Sequence, residues 1–156
     1  GRRSSNALYV RTALRSLSRR SARRTPPLHL SGLEEAVEGD VGLVLVGNTS
    51  PWTYLGRLPV DPFPGASFDL GLDLLALERV GVGRTLKVVG QAIGSRDRPP
   101  DGAGVVHRHD VPAFTVTADE PVSFQVDGDY LGARSAVSFA SVPKALRVVA
   151  GGTTGI

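Results

Sequence analysis

The sequence predicts a mainly β domain, a β-sandwich with one N-terminal helix and one short internal helix. Three observations point there. Gly 19 and Pro 11 account for 30 of the 156 residues, against roughly 12% in average usage, so turns are frequent and long helices few. Short apolar runs recur between these turn residues, as they do in stacked sheets. One stretch, Pro121 to Gly132 (PVSFQVDGDYLG), alternates Val122, Phe124 and Val126, breaks at Asp127-Gly128 and returns. Asp and Gly tolerate the positive φ of a tight two-residue turn, so local chemistry alone reads it as a hairpin.

The length fits one domain with a real core and is too short for two comfortable ones. There is no Cys, which excludes disulfides and thiolate metal sites. The longest apolar run, Val41 to Gly47, is far below the ~20 residues of a membrane-spanning helix. The chain begins at Gly without an initiator Met, as a processed or cut piece of a longer protein would. Net charge is +3, unevenly spread: residues 1–24 hold eight Arg and no acid, and the rest carries 10 Lys+Arg against 15 Asp+Glu. A basic arm on a mildly acidic domain points to nucleic acid or anionic lipid as a partner class.

In chain order, residues 1–26 read as a basic amphipathic helix and linker. Val10, Ala13, Leu14 and Leu17 share helical spacing, and Arg11, Arg15 and Arg19 fall four apart on another face. Like charges at that spacing repel, so the helix needs a tertiary partner or an anionic surface. A docked linker, a membrane-surface helix and a targeting peptide all fit. Residues 27–150 form the expected sandwich. Short strands are expected at Leu28–Leu30 and Leu33–Val37, and a buried one at Val41–Val46. A loop follows over 48–56, with the only Trp, Trp52, and with Tyr54. Aromatics on such a loop mark a binding edge or cap a core. The prolines of Pro59 to Gly65 exclude a central strand. Leu72–Leu77 reads as a strand and residues 82–93 as a helix, with Leu86, Val89 and Ile93 at helical spacing and Gly94 as its stop. His107 and His109 share one face of a strand, read as solvated because no third metal ligand is visible. Ala113–Thr117, Ala136–Ala140 and Ala145–Ala150 are further strands, and residues 151–156 a flexible tail.

The order of these features over residues 41–149 resembles the C-terminal domain of the diacylglycerol kinase-like and sphingosine kinase-like bacterial lipid kinases. It comprises a core strand ending in Asn48, a Gly- and Pro-containing loop, Phe68-Asp69-Leu70-Gly71-Leu72-Asp73, a helix, and strands leading to Asp127-Gly128-Asp129. Val137, Phe139, Pro143 and Leu146 to Val148 close the pattern. The resemblance implies a β-sandwich packed on a nucleotide-binding α/β domain, with the active site between them. It implies transfer of the ATP γ-phosphoryl to a lipid hydroxyl such as that of diacylglycerol, with magnesium. The implied partners are the nucleotide-binding domain and a lipid substrate at the membrane surface. Nucleic acid is not expected, a homodimer is compatible, and the location is cytoplasmic, peripheral at the inner membrane face.

By this resemblance Asp127 is the general base, and Asp129, where the family usually carries Glu, supports it from the same strand face. Asn48, Trp52 and Tyr54 are the expected substrate contacts and Asp69 the expected metal ligand. Two departures qualify the pattern. No Gly-Gly-Asp-Gly-Thr or P-loop lysine motif occurs, so ATP and Mg²⁺ belong to the complete enzyme and are not held by this chain alone. Leu70 stands where a second acid is common, which removes an oxygen ligand beside Asp69. Two other function classes remain open: a non-catalytic β-sandwich binding module using Trp52 and Tyr54, and a nucleic-acid binder acting through its arginine arm.

Overall fold

The structure, a computed structural model, describes residues 26–94 and 97–145. The helix expected over 5–20, the tail over 151–156 and all but the first residue of the strand expected over 145–150 lie outside them. Among the described residues eight strands and one helix follow in order: β1 Leu28–Ser31, β2 Leu43–Gly47, β3 Thr53–Leu55, β4 Leu58–Val60, β5 Leu72–Leu77, α1 Val82–Gly94, β6 Val105–Val111, β7 Ala113–Val126 and β8 Asp129–Ala140. They form two three-stranded sheets, β1-β7-β8 and β2-β5-β6, and a two-stranded hairpin β3-β4, with all pairings antiparallel. The domain is mainly β with one short internal helix, as expected.

Alternation along β5 explains why that strand is apolar on both faces apart from Asp73. Leu74 and Ala76 join a core cluster with Leu28, Val41, Val111 and Phe114, which fills the space between the two sheets. Leu75 and Leu77 point the opposite way, to a second cluster with Phe63, Ala66 and Val88 of α1. The central sheet is thus covered on both faces and needs no polar side. Phe63 is fully buried and lies over Gly47, where any Cβ would strike its ring. Burying such a ring contributes roughly 2–3 kcal/mol. In the outer sheet the cross-strand pair Phe114 and Phe139 stacks at 5.0 Å, and Phe124 meets Phe139 edge-on at 6.2 Å.

Local expectations failed where tertiary partners decided. Residues 33–37 form no strand. Gly32, at φ +82°, turns the chain off β1, and Leu33 and Val37 pack on the core from an irregular segment. Residues 53–55 are not loop but β3, paired with β4 even through Pro59. Among the described residues the pair has no further strand neighbour, so the proline interrupts no central ladder there. The helix forms where expected, yet its buried stripe is Thr85, Val88 and Ala92, and Leu86 is exposed.

Candidate functional site

β7 and β8 run on as a two-stranded ribbon beyond the part covered by β1, which pairs only with residues 115–118. The ribbon ends in the turn Asp127-Gly128, between the register pair Val126 and Asp129. Asp127 has φ +51° and Gly128 φ +90°. Positive φ at both central residues is the primed turn whose twist matches the flanking strands. Asp127 therefore lies in the turn itself and not on a strand face. Asp129 begins β8 and projects on the face of its partner Val126, which corrects the expectation that the two carboxylates share a face by alternation. Both are exposed, and among the described residues neither carboxylate accepts a hydrogen bond.

The other expected site residues lie elsewhere. Asn48 is exposed one residue past the end of β2. Trp52 and Tyr54 are exposed at the start of the β3-β4 hairpin. Ser50, two residues before Trp52, donates to the buried Asp61, which also accepts from the Phe63 N–H at 3.2 Å. Asp69 is exposed, and its own N–H donates to Ser67 Oγ at 3.3 Å. Among the described residues no group of three His, Cys, Asp or Glu side chains is placed to hold a metal ion. One carboxylate beside Leu70 does not fit a hard cation, which takes six or more oxygen ligands. No described hydrogen bond or ion pair joins the ribbon tip to Asn48, Trp52, Tyr54 or Asp69.

A polar cluster that sequence reading missed sits at the end of the central sheet. Asp73 on β5 is fully buried. Its Oδ1 lies 2.8 Å and its Oδ2 3.0 Å from His109 Nδ1. A carboxylate only accepts, so Nδ1 carries the hydrogen and Nε2 is left free to accept. The register steps from Leu74↔Arg108 to Leu72↔Val111, so His109 and Asp110 both face Asp73. Such a bulge leaves an N–H without a ladder partner. Here the Asp110 N–H donates to Asp73 Oδ1 at 3.2 Å, and the Asp110 carboxylate accepts from the Gly71 N–H at 2.6 Å. A Cβ on Gly71 would lie 2.7 Å from the Asp110 carbonyl carbon, so glycine alone allows this approach. The readable signal was an Asp inside an otherwise apolar strand, which when buried demands donors.

His107 completes the cluster, stacked on Phe63 at 6.5 Å with Nε2 3.9 Å from Asp73 Oδ2. Burial pushes its imidazole below the ordinary value of 6.5; His109 and Arg108 add to the fall and Asp73 opposes it. The unfolded chain therefore takes up this proton at higher pH than the folded one. The stability that His107 contributes is complete above about pH 6.5 and is lost as pH falls toward the folded-state value. Melting temperatures taken from about pH 7.5 to about pH 5 should decline, and His107→Gln should remove part of that slope. An unchanged slope would assign the acid sensitivity to other groups.

Comparison with known proteins adds the context of this geometry. No protein-family profile and no curated protein sequence matches the chain. Solved structures do. A diacylglycerol kinase of Bacillus anthracis str. Sterne, so described provisionally, superposes with a TM-score of 0.58 at 17% identity, over 83% of this chain and 44% of its own. The fold is that of a diacylglycerol kinase domain. A second structure described as a diacylglycerol kinase of the same organism gives 0.53 at 18% identity over 83% and 44%. A third, again provisionally described, gives 0.55 at 17% over 88% and 47%. The chain thus spans a little under half the length of the structures it matches. Among the described residues no helix is long and apolar enough to cross a membrane.

Proposed function

We propose that this domain supplies the acceptor side of an ATP-dependent lipid kinase, with the nucleotide held by residues outside this sequence. The observation that supports it most is the likeness to diacylglycerol kinase structures over 83–88% of the chain. The ribbon tip supplies matching chemistry. A lipid hydroxyl is a poor nucleophile, and an exposed, unpaired carboxylate on a short turn is free to take its proton. In this reading the hydroxyl oxygen bonds to the γ-phosphorus of a nucleotide, the bond to the bridging oxygen breaks, and the proton passes to Asp127. Asp129 sets the field around it. Magnesium, bound with the nucleotide, would neutralise phosphate charge. Asn48, Trp52 and Tyr54 contact the acceptor, and the protein works at the cytoplasmic face of the membrane.

The test is transfer of labelled γ-phosphate to dioleoylglycerol in mixed micelles by the complete protein that carries this domain. Magnesium-dependent appearance of phosphatidic acid is the expected result. Failure to label dioleoylglycerol, sphingosine or any other lipid alcohol would overturn the reading.

A further inference from the structure

Two neighbouring elements contain no acid, in a chain that has 15 Asp+Glu. The β3-β4 hairpin reads TYLGRLPV and α1 reads VGRTLKVVGQAIG. They are fastened together: the Asp61 N–H, one residue past β4, donates to the Ala92 carbonyl of α1 at 2.7 Å. Both present large apolar side chains to solvent, with Tyr54 53%, Leu58 55%, Val82 52% and Leu86 53% exposed, and Trp52 lies beside them at 42%. On α1 this is a second stripe, distinct from the buried Thr85, Val88 and Ala92. Val82 and Leu86 sit one turn apart, and Val89 and Ile93 continue the spacing. Arg57 in the hairpin turn and Lys87 on α1 are exposed cations. Two nearby carboxylates are engaged, Asp61 with Ser50 and Asp101 with Gln91 at 2.7 Å.

We infer that the hairpin β3-β4 and the outer stripe of α1 form one docking face for anionic phospholipid. Isolated apolar side chains on a surface need no explanation; a group of them on two joined, acid-free elements marks an interaction site. The side-chain set selects the partner. Trp and Tyr favour the headgroup boundary, Leu and Val the acyl region just beneath, and Arg and Lys the lipid phosphates. The eight Arg of residues 1–24 add attraction of the same sign. The inference rests on the lipid-kinase reading for its purpose, but membrane binding is measured without activity.

Trp52 is the only Trp in the chain, so its fluorescence reports on this face alone. The full chain is mixed with vesicles of phosphatidylcholine, with or without phosphatidylglycerol, and with vesicles carrying brominated acyl chains. Expected are a blue shift with phosphatidylglycerol, quenching by brominated lipid, and roughly tenfold or greater loss of partitioning in Leu58→Glu/Leu86→Glu with an unchanged circular dichroism spectrum. Arg57→Gln/Lys87→Gln, which keeps the apolar residues, should weaken binding to anionic vesicles and reduce its salt dependence. Sedimentation with vesicles without any change at Trp52 would overturn the inference and assign binding to the arginine-rich segment. A concentration-dependent Trp52 shift without vesicles would overturn it in favour of a second copy on this face. Vesicle binding without lipid phosphorylation would leave this inference standing and overturn the kinase reading; phosphorylation of a short-chain acceptor without vesicle binding would do the reverse.

Discussion

On the proposed reading of Asp127 as the base, Asp127→Asn in the complete protein that carries this domain is expected to cut turnover at least ~100-fold, with the melting temperature nearly unchanged. Asn has the same size and, like Asp, accepts the positive φ that position 127 adopts, +51°. The Asp127 carboxylate accepts no hydrogen bond among the described residues, so nothing in the fold is lost, and a purely structural turn residue should tolerate the change within about 0.5 kcal/mol. Proton acceptance is lost, because an amide has no useful basicity. Loss of a general base costs on the order of 10²–10⁴ in rate, or ~3–5 kcal/mol of barrier. Asp129→Asn should cost less, since it alters only the field. A sharp fall in melting temperature with turnover per folded molecule retained would reduce Asp127 to a turn residue.

Asp73→Leu is the substitution expected to damage stability most. Leucine keeps the branched shape, with bulkier methyl groups in place of the oxygens, but leaves the Asp110 N–H and the His109 Nδ1–H without the acceptor they share. Taking away the acceptor that satisfies both donors costs about 3 kcal/mol. For a chain of this size that is a fall of roughly 10 °C in melting temperature. Asp73→Asn keeps one acceptor oxygen and should lose about half as much. His109→Gln retains a donor toward Asp73 and should be milder still. A melting temperature within about 2 °C of the wild type for Asp73→Leu would show that the bulge holds without its carboxylate.

The two positions differ in how visible they were beforehand. The Asp127-Gly128 turn is local chemistry: two residues that tolerate positive φ between alternating strands specify it, and it formed at the expected place. Asp73 and His109 stand 36 residues apart, and no periodicity links them. The His107–His109 face read as solvated because its partner arrives from another strand. Once Asp73 is buried on the same side of the sheet, that face becomes a polar cluster around one carboxylate. Helix α1 shows the same division. Its span and its glycine stop follow from spacing, but apolar residues occupy two stripes, and the packing of β4 and β5 decided that Thr85, Val88 and Ala92 go inside.

Composition, alternation and turn chemistry therefore specified a mainly β chain, the ribbon with its exposed carboxylates, and the position of the helix, because these depend on neighbours within a few residues. Long-range pairing decided the rest. It placed β5 between two cores, carried Pro59 to a hairpin outside the main sheets, and brought the two histidines to Asp73. The physical reason is that burial belongs to contacts between elements. A residue's own neighbours set its backbone angles, whereas the element packed against it determines whether it meets water, a hydrocarbon core or a carboxylate.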